Sequence, residues 1–180
     1  MLSEPCQMEV YHLMLKMLTY VNDKMSRMLE VLITLLMTGM VVFVVMQVFF
    51  RYVLQKPLSW SEELAGYLFS GVFFFGAVLL YRESRHINMS LFVDAIKNRF
   101  LRQIAVITAH LFSFLFLVLV VYYSYPMALQ IIDFEVVSPS MEWLKMGYIF
   151  MIVPVASFLS LFMLLEVILK SVAQLKEIKQ

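Results

Sequence analysis

The sequence predicts an all-α integral membrane protein with four transmembrane helices, and three observations predict it. The first is composition: 62% of the 180 residues are hydrophobic and 15% are charged, where soluble domains sit near roughly 45–50% and about 25%. A single core of this size cannot hold so much Phe, Leu, Met and Val, so a second apolar solvent must cover the excess. The second is four long runs free of Asp, Glu, Lys and Arg, each long enough to cross a hydrocarbon core of about 30 Å. The third is the way Lys and Arg gather between alternate runs.

The spans are read as Val31–Phe50, Leu64–Tyr81, Ile104–Tyr125 and Met146–Leu165. The third lies in a longer uncharged run, Gln103–Ile132, where Pro126 is expected to mark a kink or the exit from the bilayer. Pro154 falls inside the fourth, where neighbouring helices can satisfy the carbonyl it frees. The first run is too long for a signal peptide and ends in Phe49-Phe50-Arg51-Tyr52, without a small-residue cleavage site. The chain is therefore expected to keep Met1 as its start and to form a single membrane domain over 1–180.

Eleven Lys and Arg lie in the N-terminal segment, the loop between spans two and three, and the C-terminal tail; three lie in the other two loops. By the positive-inside rule both termini and the middle loop are cytoplasmic. The loops 51–63 and 126–145 then face outward.

Two segments are expected to lie along the membrane. In residues 8–29 polar side chains recur at Glu9, His12, Lys16, Thr19, Asp23 and Ser26, opposite Tyr11, Met14, Leu18, Val21 and Met25. This is an in-plane amphipathic helix at the cytoplasmic interface. A coiled-coil seam is the alternative, but it needs more than three heptads and a partner. The middle loop repeats the pattern in shorter form, with Leu91, Phe92, Ala95 and Ile96 set against Asp94, Lys97, Asn98 and Arg99.

Composition excludes a soluble enzyme and a disulfide scaffold, since Cys6 is the only cysteine. A net charge of +1 gives no footprint for nucleic acid. The four spans hold no Asp, Glu, Lys or Arg, so a self-contained ion path is absent from them. Their polar residues Thr34, Thr38, Gln47, Ser70 and Ser113 suit interhelical or back-bonded hydrogen bonds, and Gly39, Gly71 and Gly76 suit close helix contacts. His110 is the one ionisable side chain within a span. A haem-ligating pair with His86 is one reading and a neutral, hydrogen-bonded histidine the other; without further spacing logic the second is favoured, and no cofactor or metal is expected.

The densest local signal runs from Arg51 to Asp94. Ser59-Trp60-Ser61-Glu62 has the capping-box form, with Ser59 as the helix cap and Glu62 returning to the cap amide. Trp60 suits an interfacial anchor. Two acids, Glu62 and Glu63, beside Arg51 also suit an ion pair or a partner contact.

These residues resemble the small membrane subunit, DctQ-type, of tripartite ATP-independent periplasmic (TRAP) transporters. The resemblance rests on Arg51-Tyr52-Val53, Leu58 to Ala65, Tyr67-Leu68-Phe69, Gly76-Ala77, Tyr81-Arg82, Arg85-His86-Ile87, Leu91 and Asp94. Past Asp94 it continues only at Ser138-Pro139 and Pro154, and the family's frequent Pro near Lys145 and Tyr near Phe150 are missing. It implies a scaffold for a large membrane subunit that moves an organic anion inward on a cation gradient, normally sodium, with a periplasmic binding protein delivering the solute. The partners it implies are that large subunit, the binding protein and membrane lipids, in the bacterial inner membrane, with no enzymatic activity. Arg51, Tyr52, Trp60, Ser61, Glu62, Glu63, Tyr67, Arg82, His86 and Asp94 become candidate partner-interface or structural residues. A membrane anchor or assembly subunit of a redox complex is the alternative function.

Overall fold

The computed structural model describes residues 4–83 and 99–179, with side chains over 13–81 and 100–173. The expected short helix of the middle loop lies outside the described residues, as do His86 and Asp94 and the side chain of Arg82.

Among the described residues, four helices are long and apolar enough to cross a membrane. Helix α1 runs without interruption from Glu4 to Tyr52, 49 residues. The expected in-plane helix at 8–29 is therefore not a separate element but the first half of the helix that forms span one. The reason is local. No Pro falls between Pro5 and Pro57, and Met, Leu, Lys and Glu all favour helix. Thr34 and Thr38 donate their hydroxyls to the carbonyls one turn back, both at 2.7 Å, so polar groups in the apolar half are satisfied within the helix. The helix closes with Val53 N–H on the Phe49 carbonyl and Lys56 N–H on that of Phe50, and Gln55 takes a left-handed φ of 52° before Pro57.

Helix α2 spans Ser59–Glu83 and α3 spans Arg99–Asp133. Pro126 lies inside α3, and the helix runs a further two turns past it. A two-stranded antiparallel hairpin follows, β1 Val137–Ser138 and β2 Met141–Lys145, a small addition to an otherwise helical fold. Helix α4, Met146–Phe150, and α5, Ile152–Lys179, are separated at Met151. Pro154 explains the break: it has no N–H for the Phe150 carbonyl, and its ring crowds that carbonyl.

The helices pack as a row, with α1 on α2, α2 on α5 and α5 on α3. Helix α5 is central, with 44% of its most apolar stretch buried, whereas none of the corresponding stretch of α1 is buried. The core joins Leu29 of α1, Val78 of α2, and Ala156 and Met163 of α5, with Phe74, Phe75 and Leu159 packed around them.

Glycine sets two of the approaches. A Cβ on Gly71 would come within 3.0 Å of Leu36 Cδ1, and on Gly147 within 2.3 Å of Ile132 Cγ1 and 2.9 Å of the Ile132 nitrogen. Gly147 thus lets α4 lie directly on the end of α3. Gly76, expected at a close helix contact, faces open space, and Gly39 makes only ordinary contact with Leu68.

Candidate functional site

The ionisable side chains with described partners collect at the two ends of the bundle. Asn22 and Gln47, which mark these ends on α1, lie about 37 Å apart at about 1.5 Å per residue. That separation brackets a hydrocarbon core of about 30 Å.

At the Glu63 end, the start of α2 holds the hairpin loop. Glu63 accepts from the Ser138 hydroxyl and from Ser140, whose Oγ lies at 2.9 Å and backbone N at 3.3 Å. Tyr67, one turn along α2, donates to Ser138 Oγ at 3.2 Å, so Tyr67, Ser138 and Glu63 form a donor-to-acceptor chain. Ser138 is buried under this contact. The base of the loop is closed by Lys145 Nζ on Glu135 Oε1 at 2.7 Å. The hydrogen bond and charge of Lys145 hold the Glu135 carboxyl below its ordinary range; Glu135 in turn raises Lys145.

Glu62 takes a different partner from the one its sequence position suggests. Its carboxylate accepts from Gln47 Nε2 at 3.1 Å, tying α2 to α1. The expected capping box is not what starts this helix. Ser59 is its first helical residue, and Ser61 donates its hydroxyl to the Leu58 carbonyl at 2.8 Å. A carboxylate with a neighbouring helix in reach is better satisfied there than by folding back. Trp60 sets its ring edge-on to Phe43 of α1, with centroids 6.1 Å apart. The second tie between the two helices is thus made by an aromatic pair. Arg51 and Tyr52 end α1 exposed, and the partners found for Glu62 and Glu63 are Gln47, Ser138 and Ser140 rather than Arg51.

A second cluster, at the Glu166 end, was missed by sequence reasoning. Glu166 of α5 is buried and accepts from Asn22 Nδ2 and, at 2.9 Å, from Thr19 Oγ1, both on α1; Lys170 pairs with it from one turn along α5. Glu166 falls one residue past the span read as Met146–Leu165, so it looks like a solvated end. The signal was the set Thr19, Asn22 and Ser26: small uncharged polar residues on one face suit a helix contact better than a water-facing surface. Asn22 and Ser26 are buried. Nearby, Gln103 of α3 donates to the Ser171 carbonyl of α5 at 2.9 Å.

Among the described residues no group of three or more His, Cys, Asp or Glu is placed to hold a metal ion. His110 is part-buried in α3.

Long apolar crossings with polar ties at their ends define a multi-pass helical membrane protein. The family described as tripartite ATP-independent periplasmic transporters, DctQ component, matches residues 40–174. The chain belongs to that family and is a small permease component of a TRAP transporter. It is 32% identical over 69 residues to a TRAP transporter small permease protein of Haemophilus influenzae, covering 38% of this chain and 43% of that protein. It is 29% identical over 85 residues to the small permease protein of the sialic acid TRAP transporter of Vibrio cholerae, covering 47% of each. The matched stretches thus span less than half the length of either relative.

Proposed function

We propose that this chain is the scaffold subunit of a secondary active TRAP transporter that imports an organic anion, such as a dicarboxylate or sialic acid, on a cation gradient, normally sodium. It stabilises and orients a large transport subunit in the inner membrane, a periplasmic binding protein delivers the solute, and the chain itself binds none. Both termini lie in the cytoplasm, from the distribution of Lys and Arg. The Glu63 cluster and hairpin then face the periplasm.

One observation carries this reading. The acids Glu62, Glu63, Glu135 and Glu166 are spent on partners within the chain, while α1 and α3, at the two ends of the row, leave their apolar faces almost wholly uncovered. A scaffold needs packing surfaces and end anchors, not an ion path of its own. The sialic acid relative supports an organic anion as solute.

The test is reconstitution. Proteoliposomes holding the large subunit, with binding protein outside and an inward sodium gradient, are assayed for uptake of labelled sialic acid and of a four-carbon dicarboxylate, with and without this chain. Gradient-dependent uptake of one anion that requires the chain is expected. Equal uptake without the chain overturns the scaffold role, and uptake indifferent to sodium overturns the coupling.

A further inference from the structure

The outward face of α1 carries a heptad pattern longer than lipid requires. Met14, Val21, Met28, Leu35, Val42 and Phe49 recur at every seventh residue, and all six are exposed. Three residues on from each lies a second exposed set, apolar at four of six positions, with Lys24 and Thr38 as its polar members. Apolar residues at these two positions over more than four heptads read as a helix-pairing seam. Residues 8–29 alone are too short to make one; the continuous helix supplies the length.

Three facts limit what covers this seam. From Met14 to Tyr52 it is about 57 Å long, so hydrocarbon about 30 Å thick would cover it only at a tilt near 60°, beyond the range of about 0–40° seen for membrane helices. The helix cannot roll its polar side outward, because Asn22, Ser26 and Leu29 are buried against the rest of the bundle. The third fact is charge. Among the described side chains of this half of α1, Lys16, Lys24 and Arg27 are exposed against one exposed acid, Glu30.

A second copy of this chain is a poor occupant. Two copies share one orientation in the membrane, so they would pair in parallel and set Lys24 against Lys24. Anionic lipid headgroups at the level of Arg27 would leave Met17 and Met14 about 15 and 20 Å beyond them, in water. An acidic helix satisfies both the charge and the length.

We infer that the seam from Met14 to Tyr52 receives one long helix of the large transport subunit, bearing carboxylates opposite Lys24 and Arg27. This rests on the scaffold reading above, and it selects α1 over the equally apolar face of α3.

The chain is co-expressed with the large subunit of its transporter, and the complex is recovered from detergent through a tag on that subunit. Val21→Trp with Val31→Trp, and separately Lys24→Glu with Arg27→Glu, should each lower recovery at least tenfold, while Leu115→Trp with Leu119→Trp on α3 leaves it unchanged. Thermal melts of each variant alone check the fold, and Lys24→Arg with Arg27→Lys should restore recovery. If the wild-type chain is not recovered with the large subunit, the scaffold reading itself fails. If it is recovered, wild-type yield from both α1 variants, or loss from the α3 variant instead, overturns the seam. So does a disulfide-linked homodimer of Val21→Cys in place of the complex. Charge-reversed protein that keeps the complex but no longer binds phosphatidylglycerol vesicles assigns the face to lipid and overturns it as well.

Discussion

The side-chain amide of Asn22, on α1, is donated to the carboxylate of Glu166, on α5, although 144 positions separate them in sequence. Both side chains are buried. This bond, with those of Thr19 and Lys170 to the same carboxylate, holds the Thr19 and Asn22 side of α1 against α5.

Removing that carboxylate strands three donors. Glu166→Ala leaves Lys170 without its counter-charge and Asn22 and Thr19 without their acceptor, which should cost about 3 kcal/mol. Glu166→Gln keeps an acceptor for α1 and should cost less. Melting temperatures in detergent give the order wild type, Gln, Ala; equal values for all three would show that the cluster does not stabilise the bundle.

Gly147 has no room for a methyl group. Gly147→Ala drives a Cβ into Ile132, at its side chain and its backbone, an overpacking expected to cost about 1–3 kcal/mol. Ile132→Ala in the same chain removes only the side-chain part of the clash, so a partial recovery of the melting temperature is expected.

Gln55 sits at the end of α1 with φ of 52°. A side chain costs roughly 1–2 kcal/mol in that conformation and glycine almost nothing. Gln55→Gly should therefore raise the stability of the protein by about 1 kcal/mol. A lower melting temperature would mean that the Gln55 side chain contributes something its geometry does not reveal.

The two adjacent acids should behave differently. Glu63→Ala releases Ser138 and Ser140 together, so amide exchange over residues 137–141 should speed up at least tenfold and uptake by the assembled transporter should fall. Glu62→Ala loses one exposed contact to Gln47 and should leave the hairpin protected. Identical exchange in the two variants would argue that the loop is held by its strands alone.

The base of the hairpin should respond to pH at both extremes. Glu135 is depressed in the folded protein, so what it contributes is complete above its unfolded pKa and fades as pH falls through the lower folded value. Lys145 is raised, so its share is complete below its unfolded pKa and fades only as pH climbs through the higher folded value. Protection factors at Val136 and Met146 should thus be flat around neutrality and decline at acid and strongly alkaline pH. Glu135→Gln should remove the acid limb.

Periodicity and charge in the sequence were enough to place the crossings, because a bilayer demands uncharged runs of set length wherever they fall. Val31–Phe50 and Leu64–Tyr81 lie within α1 and α2, and the contacts of Tyr67, Glu62 and Glu63 join separate elements. Which partner each takes was not legible. Glu62 could cap its own helix or reach Gln47, and its spacing from Ser59 is compatible with both.

What the sequence by itself determined is the membrane class, the four crossings and the family, since all three follow from local composition and short motifs. Tertiary structure decided that residues 8–29 continue into the first span instead of lying apart from it, and that Thr19 and Asn22 among them turn toward Glu166. The physical reason is that an amphipathic stripe states only that one side of a helix differs from the other. Whether water or a buried carboxylate meets the polar side depends on a residue on another helix, and no window of local sequence contains it.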